Sequence, residues 1–316
     1  LENTNVLKSK VINNLNFKSD DKIIGGLGLS NNFNIFFKNL NTVGKNTTEY
    51  KSSPQSELQS LLEINSELPL LKISERYNET LKPKISLRFN PGDMKDHSTD
   101  EREINVSNIF NSNRLGMDDS LEAGNSLTIG VEYEKENKNH KENYLRISLA
   151  SAFRDSEEDN ISKQTSLNQK NSNVFGSLDL GLSKAINLDY KFAIDNNIQE
   201  FEYNSFGVNL SLNNFVTTFS FVEDNASLDN ANYFENSSKY TFDQSNSISF
   251  KTRRNREVNL TEYYDLVYEY NNDCMTAGIK YNKTYYEDGD LKPTENIMFT
   301  ISLFPLTSFQ QSTTTE

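Results

Sequence analysis

Long hydrophobic runs are absent from this 316-residue sequence, although a membrane-spanning helix needs about 20 consecutive apolar residues. The chain also has only two histidines, His97 and His140, and one cysteine, Cys274. The two histidines lie far apart in polar stretches, so we expect no zinc site. A lone cysteine has no partner for a disulfide within the chain. These absences exclude helical membrane proteins and disulfide-rich domains.

Basic residues are also fewer than acidic ones. The chain has 32 Lys and Arg against 45 Asp and Glu, which gives a formal net charge of −13. Proteins that bind nucleic acid present a basic surface to the phosphates, so the sequence argues against a nucleic-acid partner. No general base, nucleophile or glycine-rich phosphate loop accompanies the paired acids Asp118 and Asp119, and the spacing makes no Ser-His-Asp arrangement plausible. We therefore expect no enzyme, no cofactor, and neither catalytic nor metal-binding residues.

Aromatic residues are plentiful in spite of a low mean hydropathy of −0.69. Hydrophobic residues make up 35%, a fraction that leans toward disorder in a soluble chain, yet there are 20 Phe and 15 Tyr. Strands with a single apolar face would reconcile these two facts. A transmembrane barrel is built in this way, because its outer face contacts lipid and its lumen is polar.

Apolar and polar residues alternate with a period of two in many segments, which predicts β-strands. Leu127, Ile129, Val131 and Tyr133, for example, alternate with polar residues and glycine. The pattern repeats at 145–153, 174–182 and 186–194, and further runs lie at 32–39, 58–70, 84–90, 206–212, 215–221, 248–252, 264–270, 275–281 and 297–303. We count roughly a dozen strands, several near the length of about 10 residues that crosses a bilayer.

Connections between these strands alternate between short and long. Short turns around Lys184 and at 213–214 suit the periplasmic side of an outer-membrane protein. Long polar stretches at 155–172, 223–238 and 286–295 suit extracellular loops. A soluble β-sandwich has a similar strand spacing, but its strands rarely keep such polar second faces over this length. The predicted fold is therefore all-β, an antiparallel transmembrane β-barrel.

The segment 80–133 carries a motif in which a strand with Leu-x-Pro leads into a loop with an aromatic residue, a basic residue and Gly-x-Asp. The matching residues are Leu81, Pro83, Phe110, Arg114, Gly116 and Asp118. This motif resembles the LptD (OstA) family of lipopolysaccharide-assembly proteins. Asp273-Cys274 resembles an Asp-Cys site of the family, and 297–304 followed by Pro305 resembles its closing strand. The chain departs from the family at Asp119, where Arg is frequent.

Several of these residues also have a purely structural interpretation. Pro83 fits the start of a strand, where its missing N–H is not needed. Gly116 and Asp118 fit turn chemistry, and we interpret Asp118 and Asp119 as solvated loop charges. Arg253, Arg254 and Arg256 form the one dense basic cluster. We interpret it as solvated loop or lumen rim, and contact with lipopolysaccharide phosphates is the alternative.

The resemblance implies that residues 1–316 form the C-terminal part of a larger barrel in the cell outer membrane. It implies lipopolysaccharide transport through the lumen and out through a lateral gate between the first and last strands. Outer-membrane lipids, an LptE-like lipoprotein plug and an LptA-like periplasmic bridge are the implied partners. It also implies a disulfide from Cys274 to an N-terminal region outside this chain. The residues of the closing strand at the gate would be Ile297, Phe299, Ile301 and Leu303.

Two other functions share parts of this pattern. A generic porin or TonB-type transport barrel would show the same alternation, but it would not be expected to reproduce the Leu-x-Pro to Gly-x-Asp segment. A soluble extracellular all-β adhesin would share the Asn-rich loops, and it would dissolve without detergent.

Overall fold

The computed structural model describes residues 5–24, 26, 28–226, 231–285, 293–303 and 307–315. Strands dominate these residues, and the one helical element described is a 3-10 turn at Lys163–Thr165. No helix among them is long and apolar enough to span a membrane. The strands are β1 Leu7–Lys18, β2 Lys22–Ile24, β3 Leu29–Lys45, β4 Gln55–Glu67, β5 Leu70–Ile73, β6 Tyr77–Asn90, β7 Gly124–Asn137, β8 Tyr144–Arg154, β9 Val174–Ser183, β10 Ile186–Ile194, β11 Phe201–Leu212, β12 Phe215–Asp224, β13 Ala231–Thr241, β14 Asn246–Asn255, β15 Leu260–Asn271, β16 Met275–Thr284, β17 Glu295–Leu303 and β18 Thr307–Thr315.

The chain divides into two units, and the first comprises residues 1–135, 147–176 and 193–200. Its strands pair antiparallel, β1 with β3, β3 with β4, and β4 with β6. The short strands β2 and β5 pair with β3 and β6. The antiparallel all-β class predicted from the alternation is therefore confirmed.

The two faces of this first sheet are the reverse of those of a soluble sandwich, which buries its apolar side chains. In β6 the apolar side chains are exposed and the polar ones are buried. The exposed ones are Ile85, Leu87 and Phe89, and the buried ones are Ser86, Arg88 and Asn90. In β4, Leu58 and Ile64 are exposed while Gln59 and Glu63 are buried. An apolar surface that faces outward is what a strand in contact with lipid requires.

The second unit comprises residues 136–146, 177–192 and 201–316. From β11 to β18 it is a meander in which each strand pairs antiparallel with the next. Leu212 pairs with Phe215, so β11 and β12 are joined by the two-residue turn predicted at 213–214. Asn213 has φ +45°, a left-handed conformation that asparagine tolerates better than most residues.

The connections within the meander differ in length at its two ends. At one end the turns are short, namely 213–214, 242–245 and 272–274. At the other end the connections are 225–230, 256–259 and 285–294, and two of these three are longer than any at the first end. Short and long connections therefore alternate as predicted except at 256–259, which is no longer than 242–245.

The predicted loop at 223–238 is wrong in its extent, because β12 continues to Asp224 and β13 begins at Ala231. The sequence of β13, ANYFENSSKYT, places polar residues on both faces, so period-two alternation could not reveal it. β1 was not predicted either, although Val11, Leu15 and Phe17 recur in it at even spacing.

The predicted closing strand, 297–303, lies within β17 but is not the last strand. β18 pairs with β17 over its whole length, from Glu295 opposite Thr315 to Leu303 opposite Thr307. The sequence of β18, TSFQQSTTT, has almost no apolar residues to signal a strand. Phe304 and Pro305, which were expected to end the closing strand, lie outside the described residues.

Candidate functional site

Two long connections of the first unit fold together, and we call them the 91–123 loop (between β6 and β7) and the 155–173 loop (between β8 and β9). The N–H of His97 donates to the carbonyl of Asn160 at 2.9 Å, and the N–H of Arg102 donates to Oε1 of Gln164 at 3.2 Å. Both loops contribute buried apolar side chains, namely Met94, Ile104, Ile109, Leu115 and Met117 from the first and Ile161 and Leu167 from the second.

Polar side chains of the sheet hold the backbone of the 91–123 loop. The three bonds join Gln59 to the N–H of Leu121 (2.7 Å), Asn90 to the carbonyl of Glu122 (2.9 Å), and Lys38 to the carbonyl of Asp118. Gln59, Asn90 and Lys38 are buried residues of the polar face. The loop therefore covers that face, and its backbone groups replace the water that would otherwise solvate these side chains.

A buried charge network lies beneath the loop, and Glu122 is its centre. Arg114 donates to Glu122 through Nε (2.8 Å) and Nη2 (2.5 Å), Arg154 through Nη1 (2.6 Å) and Arg88 through Nη1 (3.1 Å). Arg88 also donates through Nη2 to Glu63 at 2.9 Å. The five side chains are each at most 5% exposed. We call these five residues the buried network.

The network keeps Glu122 ionised. Burial alone would raise the pKa of this carboxyl, but the charges of Arg114, Arg88 and Arg154 outweigh burial and hold its pKa at about 2, against an ordinary value of 4.5. Three guanidinium groups face two carboxylates, so the buried network carries one excess positive charge. A buried ion pair is costly to disrupt on one side only, because the remaining charge is left without a partner.

Glu63 is also saturated with hydrogen bonds. Its Oε1 accepts from Asn34 (2.8 Å), Asn65 (2.8 Å) and Ser112 (3.0 Å). Two of these partners are strand residues and one belongs to the 91–123 loop. With this many fixed donors, neither Glu63 nor Glu122 is placed to exchange a proton with a substrate. The arrangement fixes the position of the loop against the sheet.

The predicted motif residues are only partly brought together. Arg114 is in the buried network, and Gly116, two residues on, has φ +62°, which favours glycine. The N–H of Gly116 donates to the carbonyl of Asn113 at 3.0 Å, and Asp118 contributes its carbonyl to Lys38.

Phe110 packs where β7 has no side chain. A Cβ added at Gly130 would lie 2.8 Å from the Phe110 ring and 2.9 Å from the carbonyl oxygen of Leu149. Nζ of Lys84 lies 5.8 Å from the centre of the same ring. The glycine therefore provides the space that the aromatic residue of the loop occupies.

Leu81 and Pro83 lie on β6 itself. Leu81 is exposed and stands opposite Leu70 of β5, whereas residues from Lys84 onward pair with β4. Pro83 lies where the partner strand changes, so it is inside β6 and not at its start. Its missing N–H costs nothing there, and its carbonyl accepts the N–H of Leu68 at 3.0 Å.

Asp119 is not the solvated loop charge that was predicted. Its side chain is 20% exposed, and it lies 3.2 Å from Nζ of Lys10 and 3.1 Å from Nε2 of His97. Burial alone would raise the pKa of Asp119, but the hydrogen bond and charge of Lys10 lower it below its ordinary value. Nδ1 of His97 contacts Asp100 at 2.8 Å. The contacts of Asp119 with Lys10 and His97 join residues that are distant in the chain, so they could not be predicted from the local sequence.

The other predicted sites lie in the second unit. Cys274 is an exposed free thiol in the turn between β15 and β16, where Oδ1 of Asn272 accepts the N–H groups of Cys274 (3.0 Å) and Met275 (2.8 Å). On β17 the predicted gate residues share one exposed face, and they are Ile297, Phe299, Ile301 and Leu303.

His140 is exposed, with Nδ1 3.5 Å from Glu142. Within the described part of the chain, no three His, Cys, Asp or Glu side chains cluster as metal ligands would. Arg253 pairs with Glu262 at 2.9 Å and lies over the ring of Tyr233. It is therefore a paired residue of β14, so the loop position, one of the two that were predicted for it, is wrong.

Sequence reasoning did not identify Glu63, Arg88, Glu122 or Arg154. A signal was present in the strands, since Glu63 lies between Leu62 and Ile64, and Arg88 lies between Leu87 and Phe89. A charge at a polar position between outward apolar residues must face the opposite side. Its partners could not be read from the sequence, because they lie 25 or more residues away in the chain.

Of three comparisons with known proteins, one identifies the family of this chain. Residues 31–255, more than two thirds of the chain, match the family described as LptD, LPS transport system D. No curated protein matches the sequence. Two solved mutants of a Rhodopseudomonas blastica porin align with 91% of this chain and 94% of their own, each at 10% identity and a TM-score of 0.35. Those values are too low to add to the assignment. The family match, with the antiparallel sheet and its outward apolar face, shows that the chain belongs to the LptD family of outer-membrane, lipopolysaccharide-transport β-barrel proteins.

Proposed function

We propose that this chain moves lipopolysaccharide through a barrel lumen formed by the polar faces of its strands and releases it through a lateral gate into the outer leaflet. The observation that carries the proposal is the reversed sheet, with outward apolar residues such as Leu87 and inward polar ones such as Arg88. Lipopolysaccharide joins a long polar saccharide to an acylated lipid. A polar inner path suits the first part, and an outer surface in contact with lipid suits the second.

The buried network gives this path a fixed boundary. A long connection would normally be mobile, but the 91–123 loop is tied to the sheet at Glu122, Asp118 and Leu121. A wall with fixed hydrogen bonds keeps the same width while a large ligand passes. No bond is made or broken in such a process, so the proposed role is transport without enzymatic chemistry.

Further features of the family belong to the proposal. An LptE-like lipoprotein would occupy the lumen, and an LptA-like bridge would deliver lipopolysaccharide through an N-terminal region outside residues 1–316, which would form the C-terminal part of the barrel. The exposed face of β17, from Ile297 to Leu303, would form part of the gate, with β18 beside it. Cys274 lies at the short-turn end of the meander, which is the periplasmic end in outer-membrane barrels. A disulfide from there to a periplasmic region is sterically reasonable.

A crosslinking experiment tests the path. A photoreactive amino acid is placed at Ser220 or at Phe219 of the full-length protein, in living cells. These neighbours on β12 point to opposite faces, and Phe219 is exposed with the apolar set. We expect Ser220 to crosslink to lipopolysaccharide only while transport is energised, whereas Phe219 crosslinks to membrane lipids in either condition.

Depletion of cellular ATP is used to stop transport. Loss of the Ser220 crosslink with retention of the Phe219 crosslink supports passage along the polar face. If Ser220 yields no lipopolysaccharide crosslink in energised cells, the proposed path is wrong. A chain that conducts ions freely in a planar bilayer, without such a crosslink, would indicate a general porin instead.

A further inference from the structure

We propose a second lipid site on the outward face of the meander, where Arg254 and Arg256 bind the phosphorylated sugar of a resident lipopolysaccharide molecule in the outer leaflet. The site is separate from the transport path, because it lies on the apolar side of the sheet. It therefore requires the outer-membrane location of the chain but not the proposed function.

Aromatic side chains on three neighbouring strands form the apolar half of this site. Phe234 of β13 lies between Phe219 and Phe221 of β12, with ring centres 5.6 and 5.3 Å apart. Phe206 of β11 stands opposite Phe221 and is exposed, as are Phe219 and Phe234. Acyl chains would pack against this aromatic surface as they do against the outward residues of any transmembrane strand.

The two arginines cap the aromatic surface. Arg254 stands directly opposite Phe234 in the pairing of β14 with β13. The guanidinium carbon of Arg256 lies 5.1 Å from the ring centres of both Phe221 and Phe234. Arg256 therefore forms cation–π contacts with both rings.

Both guanidinium groups retain capacity to bind an anion. Nη2 of Arg254 donates to Asn259 at 2.5 Å, and Nη1 of Arg256 donates to Asn232 at 3.2 Å. Neither arginine forms an ion pair with a carboxylate within the described ranges, whereas the neighbouring Arg253 is paired with Glu262. Guanidinium groups bind phosphate through two parallel hydrogen bonds, so two arginines that have no carboxylate partner match a doubly phosphorylated headgroup.

The position of the site along the strands indicates which lipid binds there. Arg254 and Arg256 lie at the end of β14 that precedes the connection 256–259, on the same side as the long connections 225–230 and 285–294. Long connections mark the extracellular end of an outer-membrane barrel. The headgroups at that depth belong to the outer leaflet, which in this membrane is made of lipopolysaccharide.

A binding measurement on the full-length protein in detergent tests the site, with bisphosphorylated lipid A as the probe. The test variant is Arg254→Gln with Arg256→Gln. The matched control is Lys51→Gln with Lys141→Gln, which removes the same charge from two exposed lysines in connections outside both the site and the polar face. We expect the affinity for lipid A to fall roughly tenfold for each arginine removed, and not in the control. Retained folding is checked by the mobility of unheated samples on gels.

The probe is then varied. Lipid A without phosphates should bind weakly to the wild type and lose nothing more in the double variant. If the double variant binds bisphosphorylated lipid A as the wild type does, the site does not exist. If cardiolipin binds as tightly and depends equally on the two arginines, the site takes anionic phospholipids in general and the assignment to lipopolysaccharide is wrong. Failure of either kind leaves the Ser220 crosslink unaffected, so it does not bear on transport.

Discussion

Arg114 and Glu122, both in the 91–123 loop, form a bidentate ion pair that is completely covered, with Nε to Oε2 at 2.8 Å and Nη2 to Oε1 at 2.5 Å. The same carboxylate receives Arg88 from β6 and Arg154 from the end of β8. The Glu122 side chain therefore contributes both to the internal shape of the loop and to its attachment to the sheet. A change at Glu122 should affect both at once.

We expect Glu122→Gln to destabilise the docked loop by about 3 to 5 kcal/mol, because it leaves three buried guanidinium groups with one carboxylate. The readout is the rate at which an added protease cuts the 91–123 loop in the folded protein, together with thermal unfolding in detergent. Glu101→Gln, the same substitution at an exposed position of the same loop, is the control. Equal cleavage rates in the two variants would mean that Glu122 does not anchor the loop.

The low pKa of Glu122 predicts a stability change at acid pH. Its folded pKa is about 2 against an ordinary 4.5, so its contribution is complete above pH 4.5 and falls as the pH is lowered toward 2. The shift corresponds to roughly 3 kcal/mol at neutral pH. Thermal unfolding followed from pH 7 to pH 2 should show this loss in the wild type. Glu122→Gln should show a smaller loss over the same range, since its amide does not titrate.

Gly130 and Phe110 provide a steric test of loop docking. We expect Gly130→Ala to destabilise the protein by about 1 to 3 kcal/mol, because the new methyl group meets the Phe110 ring and a backbone oxygen. Gly92→Ala, whose methyl group would meet nothing closer than 3.4 Å, is the control. In combination with Phe110→Ala, the cost of Gly130→Ala should decrease. Strict additivity of the two changes would argue against their contact.

Much of the fold follows from local patterns. The alternation at 127–133 predicts β7, and the turn at Lys184 predicts the hairpin of β9 and β10. Such predictions succeed where one face of a strand is apolar and lipid-exposed, because the period of two is then visible in the sequence. They fail for β13, which has polar residues on both faces, and for β18, whose sequence has almost no apolar residues. β1 was also missed, although Val11, Leu15 and Phe17 recur in it at even spacing.

The candidate site was less predictable than the fold. The family motif pointed to Arg114 and Gly116, and the structure gives each a definite local role. The four remaining network residues, Glu63, Arg88, Glu122 and Arg154, were not found, since their pairing depends on strand register and on how the loop folds back. Asp119 was misread for the same reason, because Lys10 lies more than 100 residues away.

Cys274 is placed to form a disulfide with a region outside this chain. The thiol is exposed in a tight turn whose backbone is fixed by Asn272, so it can reach a partner without unfolding a strand. Export to an oxidising compartment favours disulfide formation at such a position. We expect the full-length protein from outer-membrane fractions to migrate differently on non-reducing and reducing gels, and the difference to vanish in Cys274→Ser. Ser308→Ala, in the last strand, is the control for a polar substitution without a thiol. A Cys274 that reacts fully with a maleimide in the native membrane would be a free thiol, and the proposed tether to an N-terminal periplasmic region would then be wrong.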